Sequence, residues 1–226
     1  MKLSIKSVSS DNLESGVFRK LADKTDTFEV YQHSHAKRIA ALADELGKVF
    51  NLASKDRQSL RAAALLHDLG ESVMNRDYIR RAGSLNDEEI QDLARHPIIG
   101  EQEVATVGGD RATQLLVRWH HEWWNGTGYP DALRREQIPL AARILRVADS
   151  YGAITDVRPF RPALNEPEAR HHMAAWAGIE FDPRVVSAFL SLGSLKELES
   201  FAEVGMENRF RTQPTTTGAW NLIPLS

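Results

Sequence analysis

The chain has 226 residues and carries 28 Lys and Arg against 31 Asp and Glu, a formal charge of −3. That balance offers no bulk attraction to a nucleic acid polymer or an anionic membrane, so any anionic ligand must be held by local groups. Cysteine is absent, which excludes disulfides, thiolate nucleophiles and cysteine zinc sites but leaves histidine and carboxylate metal sites open. No run approaches the roughly 20 apolar residues of a membrane span, and the opening segment lacks the apolar core of a signal peptide. A cytoplasmic protein with one domain-sized hydrophobic core is expected.

Apolar residues recur at helical spacing and no strict two-residue alternation is long enough for a sheet, so the expected class is all-α, a helical bundle. Asp11 and Glu14 read as a capping box for a first helix over 11–20. A long helix is expected over 28–52, where Ile39, Leu42, Leu46 and Val49 form one stripe with His35 at its start. The next covers 56–69 and carries Leu60, Ala64 and His67 on one face, with Gly70 as its cap. Asn86 and Glu89 form a second capping box for a helix over 87–96, where Pro97 begins a new turn. A fourth helix over 110–123 ends in Trp119-His120-His121-Glu122-Trp123-Trp124, and Asn125 to Pro130 must be a loop. Pro139 can open a fifth, with Asp149 near its C-terminal end, and Asn165 and Asp182 open two last helices over 166–177 and 183–192. The organisation expected is an accessory segment over 1–26, a catalytic domain over 27–192 and an extension over 193–226.

Five helices thus deliver histidine or aspartate close to a core face, which is how a bundle builds an internal metal site. A lone histidine such as His96 reads as a core or helix-end residue satisfied by a carbonyl; combinations point elsewhere. His67-Asp68 follows the apolar run 62–66, where a carboxylate entering the interior is costly unless paired or metal-bound. The adjacent imidazoles of His120 and His121 can meet one ion only if the helix end distorts or flanks the site. Trp119, Trp123 and Trp124 read as packing groups rather than platforms for a base.

Five segments, HSHAKRIA, AALLHDLG, LARHPIIGEQ, the run from His120 through Gly128-Tyr129-Pro130 to Arg161, and GIEFDPRVVSAF, together resemble the HD-GYP family of the HD superfamily, in order and over about residues 31–190. The resemblance implies a helical bundle with a buried binuclear iron or manganese centre. It also implies hydrolysis of cyclic di-GMP to the linear dinucleotide and onward to GMP. By position it implies that His35, His67, Asp68 and Asp149 hold one metal ion and His96, His120 and His121 the other, with Asp68 bridging. Two such cations lower the pKa of a bridging water and clamp the phosphate oxygens, so no protein nucleophile is required. Arg158 and Arg161 match phosphate-contacting positions, although alone they also read as a solvated turn. Tyr129 matches the signature tyrosine and is open to dinucleotide contact or to a purely structural place in the loop. His33, about 160° around a helix from His35, is expected to be exposed.

Several positions depart from the family. Glu71 stands where lysine is usual, which makes it either an extra ligand or catalytic carboxylate beside Asp68, or a group that weakens phosphate binding. Gly152 replaces a common aspartate, Asn125 another, and Phe160 a tyrosine. Tyr31 stands where three-metal members have glutamate, so two metal ions are expected. The alternatives are a binding or interaction module for a cyclic dinucleotide with weakened turnover, or an HD phosphohydrolase for another nucleotide. About 30 residues precede the matched region, too few for a sensory domain, so regulation by a partner protein or a homodimer is open.

Overall fold

The computed structural model describes residues 10–81, 83–157 and 162–193, with side chains from residue 16. Eleven α-helices follow one another among the described residues: α1 (Ser10–Phe28), α2 (His35–Val49), α3 (Ser54–Leu66), α4 (Leu69–Met74), α5 (Asp77–Arg80), α6 (Asp87–Leu93), α7 (His96–Thr106), α8 (Arg111–Trp119), α9 (Leu140–Thr155), α10 (Glu166–Ala175) and α11 (Pro183–Ser191). They contain no strand, only an isolated bridge between Ala177 and Phe181. The all-α expectation holds.

Helix α9 is the axis of the bundle. Its Ile144, Leu145, Val147 and Ala148 are fully buried, and α2, α3, α8, α10 and α11 pack around it. Leu46 and Leu60 close the α2–α3 side of the same core, which Phe18 of α1 also enters. Each such side chain contributes about 1.5–3 kcal/mol by leaving water. Among the described residues no helix is long and apolar enough to cross a membrane.

Several expected helix limits are corrected. The helix expected over 28–52 begins only at His35, because α1 runs on to Phe28 and stops there. Backbone bonds from Tyr31 N to Asp26 O and from Val30 N to Thr27 O close that stop, with Val30 at φ 65°, the arrangement of a left-handed helix end. The carboxylate of Asp26 accepts from Ala36 N at 3.3 Å and caps α2 across the break, since Ser34 makes no side-chain cap. His33 is exposed as expected, but because it lies in this link, not on the far side of a helix. Asp11 lies inside α1, which begins at Ser10, so it is not the cap expected of it.

Gly70 is not a cap either. It lies inside α4, where an added Cβ would sit 2.1 Å from His96 O, so glycine is what lets α4 approach the start of α7. The helix expected to end at His96 ends at Leu93 instead, and His96 opens α7 with Pro97 in its first turn. The fourth helix stops at Trp119 rather than 123. The caps at Asn86, Asn165 and Asp182 form as expected.

Candidate metal centre

The histidines and aspartates gather where helices begin and end. His67 and Asp68 form the turn between α3 and α4, His96 opens α7, and His120 and His121 follow the last residue of α8. Only Asp149 lies well inside a helix. A helix C-terminus leaves backbone carbonyls without partners, and three of these histidines use them. The Nδ1 of His67 meets Ala64 O at 3.0 Å, that of His96 meets Leu93 O at 2.8 Å, and that of His120 meets Val117 O at 2.6 Å. Each ring is thereby anchored through Nδ1 and aims its Nε2 inward.

The seven residues form two buried groups, His35, His67 and Asp149, and Asp68, His96, His120 and His121, in each of which ligand atoms lie within 4.8 Å of one another. Asp68 faces both. Its Oδ2 is 2.7 Å from His67 Nε2, and its Oδ1 is 3.3 Å from His96 Nε2 and 3.5 Å from His120 Nε2. Asp149 Oδ1 stands 3.6 Å from the Nε2 atoms of both His35 and His67. Ligands at about 2.1 Å from a common cation are spaced by roughly 3.0–3.4 Å, and the contacts here, 2.7–3.6 Å, bracket that spacing. His35 Nε2, His67 Nε2 and Asp68 Oδ1 are buried without a hydrogen bond of acceptable geometry. Convergent, unpartnered electron pairs of this kind are costly in an interior, and a divalent cation is what satisfies them.

The electrostatics carry the same signature. Burial alone would depress His67, but Asp68 and Asp149 outweigh it and push its pKa up to about 10. Asp68 resists the upward push of burial because His67, His120 and His96 surround it, and it titrates well below the usual carboxylate range. Asp149, against the same burial, is held at about 2 by His35, His67 and Arg146. His120 and His121 are lowered, by burial above all, which favours their neutral rings.

Tyr129 stacks on His121 with ring centroids 4.8 Å apart, at the end of a Gly-rich loop tied down by Glu122. That carboxylate accepts from Asp131 N at 2.7 Å and Leu133 N at 2.9 Å. Glu71 of α4 places Oε1 3.9 Å from His96 Nδ1, beside the Asp68 group. Trp123 packs edge-on against Trp176, and Arg143 lies over Trp124, so both tryptophans serve packing. Arg158 and Arg161 lie outside the described residues.

Three residues that sequence reasoning passed over belong to the site's wall. Arg146 is 4% exposed, donates from Nη1 to His121 Nδ1 at 2.7 Å, and reaches Asp149 Oδ2 at 3.3 Å and Glu180 Oε1 at 2.6 Å. A visible signal marked it: a lone charge inside the apolar run 144–148. Glu180 also accepts from Ser150 Oγ at 3.0 Å. Asp156 accepts from His35 Nδ1 at 2.9 Å, a contact spanning 121 positions that no local pattern announces.

Helices that bring buried imidazole and carboxylate groups to a common point define a helical metal-binding protein. The HD-domain family profile matches residues 18–185, and the chain belongs to this family, in its HD-GYP branch. It is 35% identical over 181 residues to the cyclic di-GMP phosphodiesterase PA4108 of Pseudomonas aeruginosa, covering 77% of this chain and 44% of that protein. With the cyclic di-GMP phosphodiesterase response regulator RpfG of Xanthomonas campestris it shares 34% over 157 residues, 68% of this chain and 41% of the relative. The chain thus spans less than half the length of these curated relatives. Among solved structures, a cyclic GMP-AMP specific phosphodiesterase of Vibrio cholerae superposes with a TM-score of 0.68 at 20% identity, over 84% of this chain and 50% of that one, a likeness of fold.

Proposed function

We propose that this chain is a metal-dependent phosphodiesterase that opens a cyclic dinucleotide, cyclic di-GMP first, to its linear product. The observation that carries the reading is Asp68, whose two oxygens face separate groups of inward-pointing histidines. The residue set fits two divalent ions, iron or manganese, with His35, His67, Asp68 and Asp149 holding one and His96, His120 and His121 the other, shared through Asp68. When bound, such a pair supplies an activated water and neutralises charge building on the phosphate. The chain's own groups do the rest. The carbonyl-anchored imidazoles of His67, His96 and His120 need no reorientation to donate. Tyr129, stacked on His121, borders the space in which the diester lies, while Arg158 and Arg161 are assigned to its phosphates by resemblance. The names of the relatives, phosphodiesterases of cyclic di-GMP and of cyclic GMP-AMP, support the substrate class.

The test is turnover by protein reconstituted with Fe²⁺ or Mn²⁺ without oxygen. Linear dinucleotide is the expected product, from cyclic di-GMP faster than from cyclic GMP-AMP. Neither substrate being cleaved under either metal contradicts the reading. A second reading, a cyclic dinucleotide-binding module, is favoured by Glu71, an anion 3.9 Å from His96 Nδ1 where the family resemblance expects a lysine. It wins if calorimetry finds tight binding of intact ligand and Glu71→Lys restores cleavage.

A further inference from the structure

His35 is anchored differently from His67, His96 and His120. His67, His96 and His120 each fix Nδ1 on a carbonyl three residues earlier, at the end of a preceding helix. His35 opens α2 after a non-helical link, so no helix end lies just before it. Its Nδ1 instead meets Asp156 Oδ2 at 2.9 Å, from the residue that follows the end of α9.

We infer that Asp156, with Arg38 and Gly152, is a positioning residue that sets His35 for metal binding, holding the ring so that Nε2 faces Asp149 and His67. This rests on the metal reading above. Asp156 is itself fixed: Arg38, one turn along α2 from His35, donates from Nη1 to Asp156 Oδ1 and from Nη2 to Thr155 Oγ1 at 3.0 Å. Tyr31 stacks flat on the ring, centroids 3.9 Å apart and planes within 8°, which leaves rotation about the ring normal to be set by hydrogen bonding. Gly152 clears the way for it. A Cβ at that position would stand 3.2 Å from His35 Cε1 and 3.4 Å from Nδ1, crowding the edge of the ring that Asp156 reaches from one turn further along the chain. A carboxylate acceptor does more than a carbonyl. Its charge keeps the proton on Nδ1 and makes Nε2 a better electron-pair donor. Of the five rings, three are thus held by backbone carbonyls, His121 accepts from Arg146, and His35 is held by an anion.

The competing explanation is that Asp156 only ties the end of α9 to α2 through Arg38. Calorimetric titration of the full chain with Mn²⁺ separates the two. In the wild type two binding phases are expected, one abolished by His35→Ala and the other by His120→Ala. Asp156→Asn, which keeps shape but not charge, should weaken the His35 phase by about tenfold, and Asp156→Ala by up to about a hundredfold. The His120 phase should stay unchanged. Thermal unfolding of the metal-free variants is followed in parallel. If Asp156→Asn binds Mn²⁺ as the wild type does, or weakens both phases equally, the positioning role is overturned; Asn is isosteric, so the comparison stands even if the Ala variant does not fold. A wild type that takes up no Mn²⁺ is a different result and refutes the metal reading itself.

Discussion

The ion pair between partly buried Arg143 and buried Asp182 and the groups around Asp68 both place charge inside the bundle, yet they differ in how their atoms are partnered. Asp182 accepts from Arg184 N at 2.8 Å through Oδ1 and from Arg143 Nη1 at 2.5 Å through Oδ2. Arg143 also donates from Nε to Ile138 O at 2.8 Å. Both carboxylate oxygens are engaged, so the pair fastens α11 to α9. Around Asp68 the distances are similar, but His35 Nε2, His67 Nε2 and Asp68 Oδ1 are buried without a hydrogen bond. A satisfied interior network holds the fold together, whereas an unsatisfied one that persists in an otherwise well-packed core marks the place of a ligand.

Substitutions in the two regions should accordingly have opposite consequences. Asp68→Ala should lower turnover by on the order of 10³-fold or more while the metal-free chain still folds, as steady-state rates and apo thermal melts would show. A large loss of apo stability would erase the distinction. Asp182→Ala leaves the partly buried Arg143 guanidinium without its carboxylate and α11 uncapped, and should destabilise the protein by about 2–4 kcal/mol in urea titration; a change under about 1 kcal/mol would place that pair among surface-like contacts.

Asp110 offers a milder version of the saturated case. It caps α8 through Thr113 N at 2.8 Å and also accepts from Ser59 Oγ at 3.0 Å. Burial acts to raise its pKa, but the bonds from Thr113 and Ser59 outweigh it and hold the carboxyl below the usual 3.8. A depressed carboxylate contributes stability above its unfolded pKa and loses it as pH falls through the folded value. Asp110→Ala should therefore cost about 1 kcal/mol at neutral pH, and the gap should narrow in acid-titrated melts as pH falls below the usual carboxylate range. The smallest effect is expected at Val30, a β-branched residue at φ 65°. Val30→Gly should raise stability by about half a kcal/mol, the strain relieved exceeding the chain entropy added.

The helical class and the identity of the converging histidines and aspartates were legible because each sits beside a strong local signal: an apolar run before His67, a proline after His96, a glycine-rich loop after His121. Their placement was less so. The sequence reading put His35 inside a helix and His96 at the end of one; both open helices, because Asp26 caps α2 from across a break and Gly70 admits α7 against α4. Those are tertiary contacts, over 10 residues in one case and between two helices in the other. Arg146 could have been found as a charge in an apolar run, the argument that singled out Asp68. Asp156 could not, since its partner His35 is 121 positions away and nothing near it in the chain calls for a carboxylate.

The central claim is that the inward-facing electron pairs of these seven side chains are there to bind cations. Metal content of the full chain purified without oxygen and dialysed against metal-free buffer tests it most directly. The account predicts close to two divalent ions per chain in the wild type, falling in Asp68→Ala, whose lost carboxylate serves both. A wild-type protein that folds normally yet retains none, even after incubation with Fe²⁺, Mn²⁺ or Zn²⁺, would contradict it.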